Sequence, residues 1–111
     1  MSLVDADSDL PIGVIADGDS FDVSDLGLDQ FSVEAFAPDG TESVRFGLSG
    51  PVSVQRTENV ASYALFANSG SDFRGRDALP GTYTLTVRAF DENRATGNLL
   101  AETTLTFTLT E

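Results

Sequence analysis

The sequence predicts an all-β domain in which about seven short strands form two packed sheets. From Phe31 to Leu109, apolar and polar residues alternate with a period of two, so alternate side chains lie on opposite faces of a strand. Clusters of Gly, Pro, Asn and Asp separate these runs and supply the backbone conformations that turns need. No segment shows the sustained period of an amphipathic helix. These observations together favour a sandwich around one apolar core.

The first quarter of the chain predicts one or two edge strands. They fall around Leu3-Val4 and at residues 20–23, and Pro11, Gly13 and Gly18 mark the turns between them. The same rules predict further strands in the middle of the chain, at residues 31–35, 44–48, 52–54 and 63–66.

The last part of the chain predicts a long loop followed by a closing hairpin. Residues 67–81 are rich in Asn, Ser, Gly, Asp and Arg, which predicts an irregular loop. The two strands after this loop are expected to turn one set of side chains inward: Tyr83, Leu85, Val87, Ala89, Leu105, Phe107 and Leu109. Their outward positions are mostly threonine, namely Thr84, Thr86, Thr104, Thr106 and Thr108. The polar segment 91–98 predicts the loop that joins the two strands.

Length and composition predict one non-catalytic domain. The 111 residues, 41% of them hydrophobic, suffice for a single core, so residues 1–111 are expected to form one domain. Residues 1–3, Met-Ser-Leu, are typical of an expression start and are expected to be foreign to the natural domain. Cysteine and histidine are both absent, which excludes thiolate nucleophiles and every Ser-His or Cys-His arrangement. Carboxylate pairs alone, without tryptophan and in so short a chain, do not predict a sugar-cleaving cleft, so we expect no enzyme.

The charge balance is strongly acidic. Eighteen acidic residues stand against six arginines and no lysine, giving a net charge of −12. Such a surface repels nucleic acid and anionic membranes, and no run of about twenty apolar residues is present to cross a bilayer. At about 1 M salt the screening length falls to about 3 Å, so self-repulsion largely vanishes. The composition therefore predicts a salt-adapted protein with no nucleic-acid partner and no membrane insertion.

A second interpretation of the acidic residues is that some of them hold Ca²⁺, the one cofactor that the sequence leaves open. Asp5, Asp7 and Asp9 form a D-x-D-x-D pattern like the start of a calcium loop. An EF-hand also needs Gly at its sixth position and an acid at its twelfth, where this chain has Leu10 and Ala16. A different geometry stays open, with contributions from loop acids at Asp17, Asp19, Asp72, Asp77 and Asp91. The alternative is a solvated acidic rim without metal.

The polar segment 56–63 is the candidate ligand site. Arg56, Glu58, Asn59 and Tyr63 offer donors, an acceptor and an aromatic face, as a saccharide groove requires. The alternative is structural: Arg56 pairs with Glu58, and Asn59 satisfies backbone groups. The outward threonines form a second candidate surface, suited to a carbohydrate or an ice-like lattice. Threonine is also simply favoured on the solvent face of strands.

A resemblance to known modules rests on segment 79–87, Leu-Pro-Gly-Thr-Tyr-Thr-Leu-Thr-Val. It resembles the approach to the penultimate strand of immunoglobulin-like and fibronectin-III-like modules, which implies that the Tyr83 hydroxyl bonds back to upstream backbone. Together with segments 5–12, 43–50 and 56–66, the pattern is similar to an immunoglobulin-like accessory domain of large secreted bacterial proteins, often beside malectin-like or kelch-like domains. The similarity covers nearly the whole chain.

The resemblance implies a monomeric module in an extracellular or cell-surface setting. We expect a non-catalytic structural spacer or accessory interaction module whose partners are adjacent domains of the same polypeptide. The alternative is a carbohydrate-binding module, with or without calcium, that uses segment 56–63 or the loops at 67–78 and 91–98.

Overall fold

The computed structural model describes residues 1–59, 63–69 and 72–111. Within these ranges the chain forms twelve strands, one α-helix, α1 (Val23–Leu26), and one turn of 3₁₀ helix (Asn93–Ala95). The strands are β1 (Ser2–Asp5), β2 (Leu10–Val14), β3 (Asp19–Asp22), β4 (Gln30–Ala35), β5 (Ser43–Ser49), β6 (Val54–Glu58), β7 (Tyr63–Ala64), β8 (Asn68–Ser69), β9 (Asp72–Phe73), β10 (Arg76–Asp77), β11 (Gly81–Glu92) and β12 (Thr96–Thr110).

Two five-stranded sheets carry the fold. The first sheet has the order β10-β4-β1-β2, and β7 joins the side of β4 that also pairs with β10. The second sheet has the order β3-β12-β11-β5-β6. All neighbours are antiparallel except β3, which runs parallel to β12. A separate two-stranded ribbon pairs β8 with β9.

The core lies between the inner faces of the two sheets. The predicted inward residues of β11 and β12 are all buried, which confirms the alternation: Tyr83, Leu85, Val87, Ala89, Leu105, Phe107 and Leu109. From the first sheet, the ring of Phe31 meets that of Tyr83 edge-on at 5.6 Å between centroids, and Tyr83 stacks on Phe107 at 5.2 Å. The predicted all-β class is thus confirmed as an immunoglobulin-like two-sheet sandwich.

The N-terminal quarter differs from the sequence prediction. The strand around Leu3-Val4 is not an edge strand, because β1 lies between β2 and β4 and its Leu3 side chain is fully buried. The edge strand is β2, which the sequence did not predict because its Pro11 and Gly13 are typical of turns. Its Pro11 sits where a missing N–H costs no bond to a further strand. Residues 2 and 3 lie inside β1.

Val23, expected to continue a strand, instead begins α1. The Asp22 carboxylate accepts hydrogen bonds from the N–H groups of Ser24 and Asp25 at 3.0 and 3.1 Å, which caps the helix start. Gly27 ends the helix with a φ of 61°, a conformation that glycine adopts without penalty. A single turn of this length shows no sequence periodicity, so only its caps mark it.

The predicted loop at 67–81 contains more pairing than expected. Residues 76–77 form β10 and join the first sheet beside Phe31 and Gln30. The Phe73 N–H donates to the Asp9 carboxylate at 2.8 Å, which ties the ribbon to the turn before β2. Residues 70–71 of this loop, and residues 60–62 of the polar segment, lie outside the described ranges.

Candidate functional site

The side chains of the four residues in the predicted saccharide groove all have partners within the protein. Arg56 Nε pairs with Glu58 Oε1 along β6, and Asn59 Oδ1 accepts a hydrogen bond from the Arg94 N–H at 2.8 Å. Tyr63 lies in β7 of the other sheet and is 9% exposed; its hydroxyl donates to the Thr41 carbonyl at 3.2 Å. The ring face is therefore covered by protein. These contacts match the structural interpretation of the segment, of which residues 60–62 are not described.

The predicted calcium pattern is a turn. Asp5 Oδ1 accepts hydrogen bonds from the N–H groups of Asp7 and Ser8 at 3.0 and 3.4 Å, while Asp9 turns to Phe73. Within the described part of the chain, no three acidic, histidine or cysteine side chains are arranged to hold a metal ion. The carboxylates of Asp5 and Asp9 accept backbone hydrogen bonds instead of converging with Asp7 on a metal site.

The loop acids proposed as further calcium ligands are also dispersed. Asp17 Oδ1 accepts from the Thr106 N–H at 2.7 Å, and Asp19 Oδ2 accepts from the Ala16 N–H at 2.8 Å. Asp77 lies in β10. The side chain of Asp72 is outside the described part. Sequence spacing alone could not reveal that the carboxylates of Asp17 and Asp19 already have backbone partners.

Asp91 fixes the hairpin between β11 and β12. Its two carboxylate oxygens accept from the backbone N–H and the side-chain amide of Asn98 at 2.8 and 3.0 Å. These hydrogen bonds, that of the Asn98 backbone first, hold the pKa of Asp91 below its ordinary value. The carboxylate is thus charged and occupied at neutral pH, as a structural acceptor.

Tyr83 lies fully buried at the start of β11. Its hydroxyl donates a hydrogen bond to the Leu79 carbonyl at 2.7 Å, four residues upstream. Burial raises the pKa of Tyr83, so the phenol stays neutral and keeps the proton that it donates.

An apolar cleft of about 160 Å³ opens between the sheets at the end of the sandwich where the chain begins. Met1, Phe36 and Ala101 line its mouth, and Val44 and Ala89 lie deeper. Phe36 is 70% exposed, an unusual position for a phenylalanine. Apart from Thr103, the residues that line it are apolar, so this cleft suits apolar contact.

The second concave feature is a shallow polar depression of about 260 Å³ on the outer face of the second sheet. We call it the Gly47 depression. It is lined by Gly47, Leu48, Ser49, Gln55, Thr84, Thr86 and Arg88. A Cβ atom built on Gly47 would meet no atom within 4 Å, so the glycine leaves open space above the sheet.

The outward threonines flank this depression as cross-strand pairs. Thr84 is the register partner of Thr106, and Thr86 is that of Thr104, with their Oγ1 atoms 3.2 Å apart in the second pair. The threonine ladder that the alternation predicts is therefore present, beside a hollow that the alternation could not show.

Two arginines face each other next to Gly47: Arg88 lines the depression, and Arg45 lies beside the lining, two residues before Gly47 on β5. Arg45 on β5 and Arg88 on β11 are direct register partners. Arg88 pairs with Glu102, whereas Arg45 donates from Nη1 to Thr57 Oγ1 at 3.0 Å and from Nη2 to Gln55 Oε1 at 2.9 Å. The sequence marks Arg45 only as outward-facing, because its partner lies 43 positions away and needs the strand register to be found.

No protein-family model, curated protein or solved structure matches this chain. Neither helix in the described ranges has the length or the continuous apolar stretch that a bilayer-spanning helix needs.

Proposed function

We propose that this chain is a structural spacer, an accessory module of a larger secreted or cell-surface protein whose partners are neighbouring domains of the same polypeptide. The supporting observation is the position of the two chain ends. Met1 lines the apolar cleft together with Ala89, whereas Leu109 pairs with Gly81 near the other end of β11. Eight residues at about 3.3 Å each separate those levels, roughly 26 Å along a 41 Å long axis. A module whose first strand begins at one end and whose last strand leaves at the other lengthens a string of domains.

The first and the last strand of the sandwich are both inner strands, which suits a module that resists a pull along these strands. β1 is flanked by β2 and β4, and β12 is flanked by β11 and β3. Because ladder hydrogen bonds run perpendicular to the strands, a pull along either terminal strand loads several bonds at once instead of peeling them singly. The module would therefore hold its neighbours at a fixed separation.

The apolar cleft supports a contact with the preceding neighbour. Phe36 at its mouth is 70% exposed. Strand β12, whose Ala101 lines the cleft, also carries Leu99 and Leu100, which are 50% and 40% exposed. Exposed apolar side chains grouped at one end of a soluble domain are typical of a contact surface. Since β1 begins beside the cleft, a domain that precedes β1 would lie next to this surface.

Small-angle X-ray scattering of two copies of the chain joined by a short linker tests the proposal. The longest dimension is expected to approach twice the 41 Å long axis. A control pair joined by a long Gly/Ser linker should give a broad distribution of separations. A short-linked pair that lies side by side, with a longest dimension close to that of one copy, would contradict the spacer role.

A further inference from the structure

We propose that the Gly47 depression binds an acidic, carboxylate-bearing polysaccharide, with Arg45 as the ligand of the carboxylate. This binding function is independent of the spacer role and uses a different surface from the apolar cleft.

The first argument is the placement of positive charge. The chain has six arginines against eighteen acidic residues, yet Arg45 and Arg88 are directly opposite each other on neighbouring strands. Like charges at such positions destabilise a sheet. Glu102 compensates Arg88, whereas Arg45 makes no ion pair within the described ranges. An external anion at this position would relieve the repulsion.

The second argument is the geometry of Arg45. Its contacts with Thr57 and Gln55 are made by Nη1 and Nη2 and fix the guanidinium across β5 and β6. These two hydrogen bonds use two of the five N–H donors of an arginine. A planar guanidinium held in place with donors to spare is suited to a carboxylate, because little side-chain entropy is lost on binding.

The third argument is the open space beside Arg45. Gly47 follows two residues along β5 on the same outer face, and nothing occupies the volume that a side chain would fill there. Thr84, Thr86 and Gln55 surround that volume with hydroxyl and amide groups. Such a hollow accepts a sugar ring and supplies partners for its hydroxyls.

The lining also favours a polysaccharide over a protein partner. Protein interfaces depend on aromatic or large apolar anchors. The one apolar side chain among the lining residues, Leu48, is 4% exposed and points to the core. A lining of hydroxyls and an amide, with the guanidinium of Arg45 beside it, therefore matches a polyol that carries a negative charge.

The net charge of −12 gives the binding an unusual salt dependence. At low salt the protein as a whole repels a polyanion, and this long-range term is screened beyond about 8 Å at physiological ionic strength. The short contact at Arg45 is screened much less. The affinity of this protein for the acidic polymer should therefore hold or rise between low and moderate salt. The nonspecific affinity of a polyanion for a positively charged protein surface falls steeply over the same range.

Affinity electrophoresis and calorimetry with polygalacturonate, and with dextran as the neutral polymer, test the proposal. The wild-type protein is expected to bind polygalacturonate and not dextran. Arg45→Gln and Gly47→Val should each lower the affinity at least tenfold, the first by removing the ligand and the second by filling the hollow. Arg74→Gln removes an exposed arginine elsewhere and should change the affinity less than twofold.

Urea unfolding of the same variants separates binding from folding. Gly47→Val should keep the wild-type midpoint, since its Cβ meets no atom. Arg45→Gln should shift the midpoint little, because the loss of the hydrogen bonds to Thr57 and Gln55 opposes the relief of the repulsion with Arg88. Absence of binding to polygalacturonate, equal binding to dextran, or equal losses in Arg45→Gln and Arg74→Gln would overturn the proposal. A stable Gly47→Val protein that binds like the wild type would do so as well.

Discussion

At the scale of single residues, aspartate acts mainly as an acceptor for backbone N–H groups. Six aspartates make such bonds in the described ranges: Asp5, Asp9, Asp17, Asp19, Asp22 and Asp91. A hydrogen bond to a charged acceptor is roughly twice as strong as one between neutral groups. Part of the acidic excess therefore shapes turns, and the remainder sets the surface charge. Tyr83 also shapes a turn, but as a donor: its hydroxyl donates to the Leu79 carbonyl and closes the turn before β11.

Replacing Tyr83 with Phe removes the hydrogen bond to the Leu79 carbonyl and keeps the ring in the core. We expect the free energy of unfolding to fall by about 1 to 2 kcal/mol, measured by urea denaturation. Tyr63→Phe is the matched control, since its bond to Thr41 is longer at 3.2 Å, and it should cost less. A larger loss in Tyr63→Phe would show that the Tyr83 bond is not what secures this turn.

The raised pKa of Tyr83 predicts a loss of stability at alkaline pH. The folded state favours the neutral phenol, so its contribution is fully present below the unfolded pKa of about 10 and is lost as pH rises through the higher folded pKa. The gap in unfolding free energy between the wild type and Tyr83→Phe should stay constant from neutral pH to about 10 and narrow above it. A gap that already closes near neutral pH would contradict this assignment.

At the scale of elements, the tip of the β11–β12 hairpin is held by side chains from β5, from β11 and from the residue that follows β6. The Ser43 hydroxyl donates to the Glu92 carbonyl at 2.6 Å and accepts from the Ala95 N–H at 2.9 Å. Asn59 holds Arg94, which adopts a φ of 63°, a conformation that costs a non-glycine residue energy. Asp91 completes the set through Asn98. The tip is thus fixed against the beginning of β5 and the end of β6.

Replacing Asp91 with Ala should loosen this tip without unfolding the sandwich. We expect faster amide hydrogen exchange at residues 94–98, with unchanged exchange in the core of β11. Because the pKa of Asp91 is lowered in the folded state, its contribution is present above the unfolded pKa of about 4 and is lost as pH falls through the folded value. The difference from the wild type should therefore vanish in strong acid.

Asp39→Ala is the control, since this exposed aspartate lies in the turn before β5. Equal acceleration in both variants, or a difference that persists at the lowest pH, would show that the Asp91 carboxylate does not hold the tip.

The sequence predicts this fold best where local pattern and tertiary structure agree. The alternation in segments 83–89 and 105–109 reports burial directly, because one face of each strand meets the core. It misplaced β1, since a four-residue strand gives no sign of whether one or two neighbours flank it. It missed the facing pair of Arg45 and Arg88 for a related reason. Strand register over 43 residues depends on how the intervening chain folds, which local propensity does not encode.

At the scale of the whole molecule, charge and shape act together. A net charge of −12 is spread over a sandwich measuring 41 × 27 × 20 Å, so every carboxylate lies within a few screening lengths of many others. The compact state therefore carries a repulsive term that the expanded chain lowers. Added salt should stabilise the fold more than it stabilises the unfolded chain.

We expect the free energy of unfolding in urea to rise with sodium chloride and to level off near 1 M, where the screening length is about 3 Å. The control is the double variant Asp7→Asn/Asp39→Asn, which removes two exposed negative charges and should show a shallower rise. A wild-type stability that does not change with salt would contradict a salt-adapted surface.

The parallel pairing of β3 with β12 has a consequence for the order in which the protein can fold. Residues 19–22 pair with residues 107–110, nearly the full chain away, and Asp17 also receives its hydrogen bond from Thr106. During synthesis on a ribosome, residues 19–22 cannot pair until residues 107–110 have left the exit tunnel. Joining segments so distant in sequence is slow. Strand β12 therefore completes the sheet last, and a nascent chain without residues 107–110 would leave β3 with no strand to pair with.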